Sequence, residues 1–286
     1  MITLAEKQDK EAIYQIWKKL FADDDGGYTD YYFQSLYDRA ITYVIKEQGL
    51  IKAVLQRQKH EIRFHQHNVP TSMILGVATL PEYQGQGLMR RLMEYALDDA
   101  KREETVTMIQ AYHPKLYTPF GFQVYYHTKT IPFSSVHTRI TGGLGDPDFL
   151  ACLKLYDHAM ASFEGTIVRT KQSFIELHEE LQAQGGQLIG YYEGDVMKAY
   201  AALELQADNL VTECFGDADA CSKLLALAQR RFGNLKQQIC DHDGDPYTML
   251  LFHDWPRFAS LVDLEEPCES AYFQNLDTLL FMHENA

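Results

Sequence analysis

Apolar and polar positions alternate between helical and strand periods along the first half of the chain. Between Glu6 and Phe21, Ala12, Ile13, Ile16, Trp17 and Leu20 fall at helical spacing. A breaker, Asp23-Asp24-Asp25-Gly26-Gly27, follows, and then an aromatic helix over Tyr28 to Tyr37. Ile41–Ile45 and Leu50–Gln56 read as strands joined by Glu47-Gln48-Gly49, and Glu61–His67 alternates as a further strand. Met73–Leu80 is a continuous apolar run, the pattern of a strand covered on both faces. Gly85-Gln86-Gly87 then opens a helix with Leu88, Leu92 and Ala96 on one face. Strands are predicted at Thr105–Ala111 and Gly121–Tyr126, with a short turn at Pro114–Tyr117 between them.

Residues 141–147, Thr-Gly-Gly-Leu-Gly-Asp-Pro, read as a linker. Beyond it the order repeats as a pattern: helices over Asp148–Phe163 and Ser173–Ala183, strands at Gln187–Tyr192, Lys198–Gln206 and Leu210–Phe215, and a helix over Asp217–Arg231. A strand at Thr248–Phe252 and a helix near Ser270–Met282 close the chain. The reading is an α/β (α+β) fold of two similar units, residues 1–140 and 141–246. An extension, 247–286, is expected to pack on the second unit.

The 286 residues carry a net charge of -14, unevenly placed. Residues 1–140 hold 17 basic and 16 acidic residues, which leaves 9 of the 26 basic and 24 of the 40 acidic ones in 141–286. So acidic a second half argues against nucleic acid or an anionic membrane as partner and is compatible with a cationic substrate. No apolar run is long enough to span a bilayer and the first ten residues lack the apolar core of a signal peptide, so the expected location is the cytoplasm. Five cysteines, none in a C-x-x-C, predict free thiols rather than a disulfide framework or a zinc knuckle. His60, His65 and His67 alternate on a strand without a carboxylate or thiol to complete a ligand set, so solvated histidines are expected and no metal.

The informative stretch is Met73 to Phe122. A buried strand ends, glycines follow, and a helix begins at once. The first amides of a helix have no internal partner and the dipole is positive there, while glycines let an anion approach the backbone. The segment Gln84 to Arg90 therefore suits a pyrophosphate. It lacks the G-K-[ST] of a P-loop, and Arg90 stands where a dinucleotide fingerprint needs its last glycine.

Two motifs in this stretch resemble those of the Gcn5-related N-acetyltransferases (GNAT). Gln84-Gly85-Gln86-Gly87-Leu88-Met89 is similar to the acetyl-CoA loop Q/R-x-x-G-x-G/A, and Leu116-Tyr117-Thr118-Pro119-Phe120-Gly121-Phe122 to F-Y-x-x-x-G-F. Met89 departs from the usual Gly or Ala, so its side chain must turn aside. Residues 76–90 also resemble the pattern G-V-A-T-x-P-x-x-x-G-x-G-L-M/L-R of the branch typified by the enhanced intracellular survival (Eis) aminoglycoside acetyltransferases, which pair a GNAT domain with a second, degenerate one. With about forty residues after Asp245, a full sterol-carrier-like C-terminal domain of that branch does not fit, and the base role of its C-terminal carboxylate is not carried over to Ala286.

The resemblance implies tandem GNAT-like units, each a mixed, mostly antiparallel sheet flanked by helices, with one acetyl-CoA site. In the second unit the matching junction reads Phe215-Gly216-Asp217-Ala218-Asp219-Ala220, whose two acids would repel a pyrophosphate. Acetyl would pass directly from coenzyme A to a primary amine, with no metal. Val77, Ala78 and Thr79 would offer backbone groups to the pantetheine arm, and Gln84, Gly85, Gln86, Gly87, Leu88, Met89 and Arg90 would hold the pyrophosphate. Tyr117 would protonate the departing thiolate, while Glu82, His113 or a carboxylate acting through water would accept the proton of the ammonium. Asp23, Asp24 and Asp25 border the acceptor side and suit a small cationic amine. Two alternatives are an acetyl-CoA-binding or degenerate regulatory protein and an acetyltransferase acting on protein or peptide lysine. Members of that branch assemble in different ways, which leaves a homo-oligomer open.

Overall fold

The computed structural model describes residues 1–22, 26–134, 139–206, 208–265 and 268–274. Its elements follow the hydrophobic pattern: β1 (Ile2–Leu4), α1 (Lys10–Leu20), α2 (Tyr28–Ser35), β2 (Ile41–Glu47), β3 (Leu50–Phe64), β4 (His67–Thr79), α3 (Leu88–Ala100), β5 (Val106–Gln110) and β6 (Gln123–Pro132). Then come β7 (Gly143–Gly145), α4 (Phe149–Met160), β8 (Thr166–Ile167), α5 (Lys171–Ala183), β9 (Gln187–Glu193), β10 (Val196–Glu204), β11 (Leu210–Gly216), α6 (Ala218–Phe232), β12 (Lys236–Cys240), β13 (Asp245–Phe252), α7 (Trp255–Leu261) and α8 (Glu269–Gln274).

Strand alternation sorts the core onto two faces. Tyr43, Leu55, Ile74 and Ile109 point to α3 and pack on Leu88, Leu92, Met93 and Ala96. Val44, Val54 and Ala78 point the other way, onto Ile13, Trp17 and Tyr32 of α1 and α2. The second half repeats the arrangement. Ile189, Tyr191, Ala201 and Val211 meet Leu224 and Ala228 of α6, and Leu188, Tyr200 and Ala202 meet Tyr156 of α4 and Phe174 of α5.

The strands form one 13-stranded sheet in the order β1-β2-β3-β4-β5-β13-β6-β12-β11-β10-β9-β7, with β8 paired to β3. Read inward from either end the order is the same. Each half has a parallel pair, β4 with β5 and β11 with β12, and then an antiparallel strand, β13 or β6. Those last two strands are exchanged in sequence. β6, at the end of the first unit, completes the second half, and β13, from beyond the second unit, completes the first. They pair antiparallel at the centre, Met249 opposite Val124. The pattern-level repeat is therefore a structural repeat.

Several expectations are corrected. The extension beyond 246 packs chiefly on the first half: β13 enters it between β5 and β6 and buries Met249 and Leu250 there, and among the described residues only Ile167 and Cys240 of the second unit join the cluster around Trp255 and Phe258. The 141–147 linker contains β7, which pairs with β9. The strand expected at Glu61–His67 is the outer part of β3 and the start of β4. They form one long hairpin whose turn, His65-Gln66, has positive φ at both residues. His60 is half-buried rather than solvated; loss of water lowers its imidazole to about 4, and the Glu176 carboxylate on α5 opposes that shift.

Candidate active site

The site begins with a distortion of β4. Ala78 pairs with Val54 of β3 and Leu75 with Gln56, so Gly76 and Val77 stand opposite Leu55 alone, as a bulge. Gly76 has φ +61°, and a Cβ there would lie 2.1 Å from the Trp17 ring. Only glycine lets α1 press on the strand this closely. Two pairs of residues, Met73 with Met108 and Ile74 with Ile109, join β4 to β5 in parallel before the bulge. Beyond them β4 runs on to Thr79 without β5 beside it. Leu80 donates its N–H to the Lys52 carbonyl on β3 (2.9 Å), so strand alternation turns the peptide groups of Thr79 the other way, into the gap. There the Gln84 side chain donates to the Thr79 carbonyl (3.2 Å). Val77, Ala78 and Thr79 thus line one edge of an open split in the sheet.

The loop after β4 carries the glycines. Gly85 and Gly87 both have φ +73°, and a Cβ on either would meet nothing within 4 Å. The glycines are there for backbone shape and leave open space above the loop. Gly87 is the N-cap of α3, with no side-chain cap and no acid in the first turn. The backbone ladder starts with Arg91 N–H to Gly87 O (3.1 Å), so the amides of Leu88, Met89 and Arg90 are free of it. The matching helix of the second half is closed: the Asp217 carboxylate caps α6 and accepts from the Ala220 N–H (2.8 Å). An anion finds free donors at α3 and a carboxylate at α6.

Met89 does turn aside, packing into the hydrophobic cluster beneath α3. Leu88 is buried in the same cluster. Arg90 is exposed, 3.8 Å from Glu94, and its guanidinium lies over the Phe120 ring (5.4 Å). That contact ties the glycine loop to the segment holding Tyr117. Tyr117 sits between two 3-10 turns, Pro114–Leu116 and Thr118–Phe120, with its ring edge-on to Phe122 (6.4 Å). It is half-buried, and burial alone pushes its phenol above the ordinary value, so it stays protonated across the neutral range. Among the described residues its hydroxyl has no hydrogen-bond partner.

The two candidate bases differ. Glu82 is exposed in the Pro81–Tyr83 turn, 3.5 Å from Lys19 of α1. A backbone hydrogen bond within Glu82 itself and the nearby lysine hold its carboxyl below the usual range, which makes it a weaker base. His113 is exposed at the start of the Pro114–Leu116 turn. Asp23, Asp24 and Asp25 lie outside the described residues, as does Ala286. The residues after that acidic run are held by the second half. Gln206 donates to the Gly26 carbonyl (3.1 Å), and Tyr31 donates to the Glu176 carbonyl (3.0 Å). Arg39 pairs with the Glu176 carboxylate (2.5 Å).

Sequence reasoning had Gly76 as the first residue of the matched 76–90 pattern but not its role in the bulge, and it missed Trp17, which acts through a tertiary contact that no local pattern carries. Among the described residues no group of three His, Cys, Asp or Glu side chains could hold a metal ion, and no helix is long and apolar enough to cross a membrane.

Residues 1–125 match the family model of the acetyltransferase (GNAT) domain. No curated protein matches the chain significantly. Solved structures share its fold at low identity. A probable N-acyltransferase from Enterococcus faecalis V583 superposes with a TM-score of 0.73 at 15% identity, covering 90% of this chain and 73% of its own. Eis1 from Mycobacterium abscessus gives 0.63 at 14%, covering 91% and 75%. A tandem GNAT protein from the clavulanic acid biosynthesis pathway gives 0.57 at 10%, covering 89% and 98%.

Proposed function

From the premise that the first 125 residues are a GNAT acetyltransferase domain, in a chain with an Eis-like tandem architecture, we propose that the protein transfers acetyl from acetyl-CoA to a primary amine of a small cationic acceptor. The observation that carries this reading is the uncapped start of α3 beside the β4–β5 split, set against the carboxylate-capped start of α6. One anion site per chain results.

The backbone of Val77 to Thr79 lines the pantetheine arm as an added strand would. The loop Gln84 to Arg90 takes the pyrophosphate on its free amides, with Arg90 adding positive charge. Held in this way, the cosubstrate would present its thioester for acyl transfer, with the backbone of Val77 to Thr79 along one edge of the split to orient it. The amine forms a bond to the acetyl carbon, the bond to sulfur breaks, and Tyr117 donates its phenolic proton to the departing thiolate. The ammonium must first lose a proton. Glu82 is ion-paired and weakly basic, which favours His113 for that role. The acidic balance of the second half suits a cationic acceptor.

The test is thermal unfolding with and without acetyl-CoA, followed by thiol release with an aminoglycoside, a polyamine and a lysine peptide as acceptors. Stabilisation with release on the first two supports the reading. Release on the peptide alone transfers the function to protein lysine, and stabilisation without release makes this an acetyl-CoA-binding protein. No stabilisation at millimolar acetyl-CoA overturns it. Tyr117→Phe should leave the stabilisation intact and lower kcat about 100-fold, the lower range of general acid catalysis.

A further inference from the structure

The strand that enters from the end of the chain lies under the proposed acid. The segment from Ala111 to Phe122 leaves β5 and returns on β6, and β13 fills the gap between those two strands. Ala111 donates its N–H to the Tyr247 carbonyl (3.4 Å), while Leu250 pairs with Gln123 and Met249 with Val124. Both ends of the segment therefore rest on β13. Its last turn closes at Gly121, which has φ +96°, and a Cβ there would touch Leu251 Cδ1 at 3.0 Å. Leu251 belongs to the same apolar cluster as Tyr117, Phe120 and Phe122. The Tyr117 segment has two short 3-10 turns and no longer helix or strand of its own to stiffen it.

We propose that Leu251 is a positioning residue for Tyr117: its side chain is the floor on which the Gly121 turn rests, and it sets where the phenol stands relative to the departing sulfur. This rests on the acid role assigned to Tyr117. It also gives the strand exchange a catalytic consequence, because the residue that seats the acid of the first half is supplied from beyond the second half. Shortening Leu251 leaves space under the turn; the tyrosine can then sink or rotate, and a displacement near 1 Å is enough to cost about 100-fold in rate.

The experiment is a double-mutant cycle on full-length protein, using Leu251→Ala, Leu251→Met as a volume-conserving companion, and Tyr117→Phe. Stabilisation by acetyl-CoA, read as a shift in Tm, reports that each variant is folded with its cofactor loop intact. With the acceptor that turns over best, Leu251→Ala should lower kcat about 10- to 100-fold with little change in KM. In the Tyr117→Phe background the same change should cost less than twofold, and Leu251→Met should restore most of the activity. If Tyr117→Phe alone has no effect, the acid assignment fails. If that variant is impaired and Leu251→Ala multiplies its loss, the acid assignment stands and the positioning role is overturned.

A second readout needs no acceptor. In protein labelled with 13Cζ-tyrosine, with Tyr117 assigned from the Tyr117→Phe spectrum, Leu251→Ala should move the Tyr117 titration back toward the ordinary phenol value as water enters. A Tyr117 titration unmoved by Leu251→Ala overturns the proposal.

Discussion

Gly87→Glu isolates the proposed anion site. The position tolerates a side chain sterically, since a Cβ there meets nothing within 4 Å. Its φ of +73° costs a non-glycine residue about 1–2 kcal/mol. A carboxylate at the head of α3 recovers about 0.3–1 kcal/mol from the helix dipole, so the variant should fold. Acetyl-CoA should feel the change strongly. Unit charges about 5 Å apart at an effective dielectric near 20 repel by about 3 kcal/mol, roughly a 150-fold loss of affinity. Acetyl-CoA at about 100 times its Kd stabilises the native protein by about 2.7 kcal/mol. In a chain of this size that is worth about 5 °C in Tm. At the same concentration the variant should gain only about 0.3 kcal/mol, well under 1 °C. Gly87→Asn is the control, because asparagine accepts positive φ and adds no charge; it should keep most of the shift. The assay is thermal unfolding at fixed protein concentration, confirmed by calorimetric titration. An undiminished shift in Gly87→Glu would refute the placement of the pyrophosphate at this loop.

Two further outcomes follow from the packing. Gly76→Ala should destabilise the protein by about 2–4 kcal/mol, combining backbone strain at positive φ with a forced displacement of the Trp17 ring, and denaturant unfolding would show it. His60 has its imidazole lowered by burial to about 4 from an ordinary 6.5. The unfolded chain therefore binds the extra proton between those values. The stability linked to neutral His60 is complete above about pH 6.5 and is lost as pH falls toward 4, by up to about 3 kcal/mol. Urea midpoints at pH 7 and pH 5 should differ accordingly, and His60→Phe should flatten that part of the dependence.

The alternation of periods along the chain was enough to place most helices and strands and to show that their order recurs. That information is local, because each element must bury one face and the spacing of apolar residues states which. The glycine loop was legible for the same reason. Gly85 and Gly87 after an apolar run, with a helix at once behind them, describe free amides at a helix start. The Asp217 cap of the second copy was equally visible as a carboxylate at the matching junction. Tyr117 was singled out by the resemblance of Leu116 to Phe122 to the family motif F-Y-x-x-x-G-F, in which it stands four residues before Gly121.

Only the tertiary structure decided how the halves join. The pairing of β13 with β5 and β6 spans more than a hundred residues, and nothing in Thr248–Phe252 distinguishes an extension on the second half from a central strand of the first. His60 looked solvated because its neighbours alternate; the packing that half-buries it, and the Glu176 charge on α5 that acts on it, come from far away in sequence. The gap between β4 and β5 depends on a bulge held by Trp17 from α1, and the seat of Tyr117 depends on Leu251. Periodicity is written into neighbouring residues, but strand partners and the contacts that aim a side chain are settled by which faces are left to bury once the chain has collapsed.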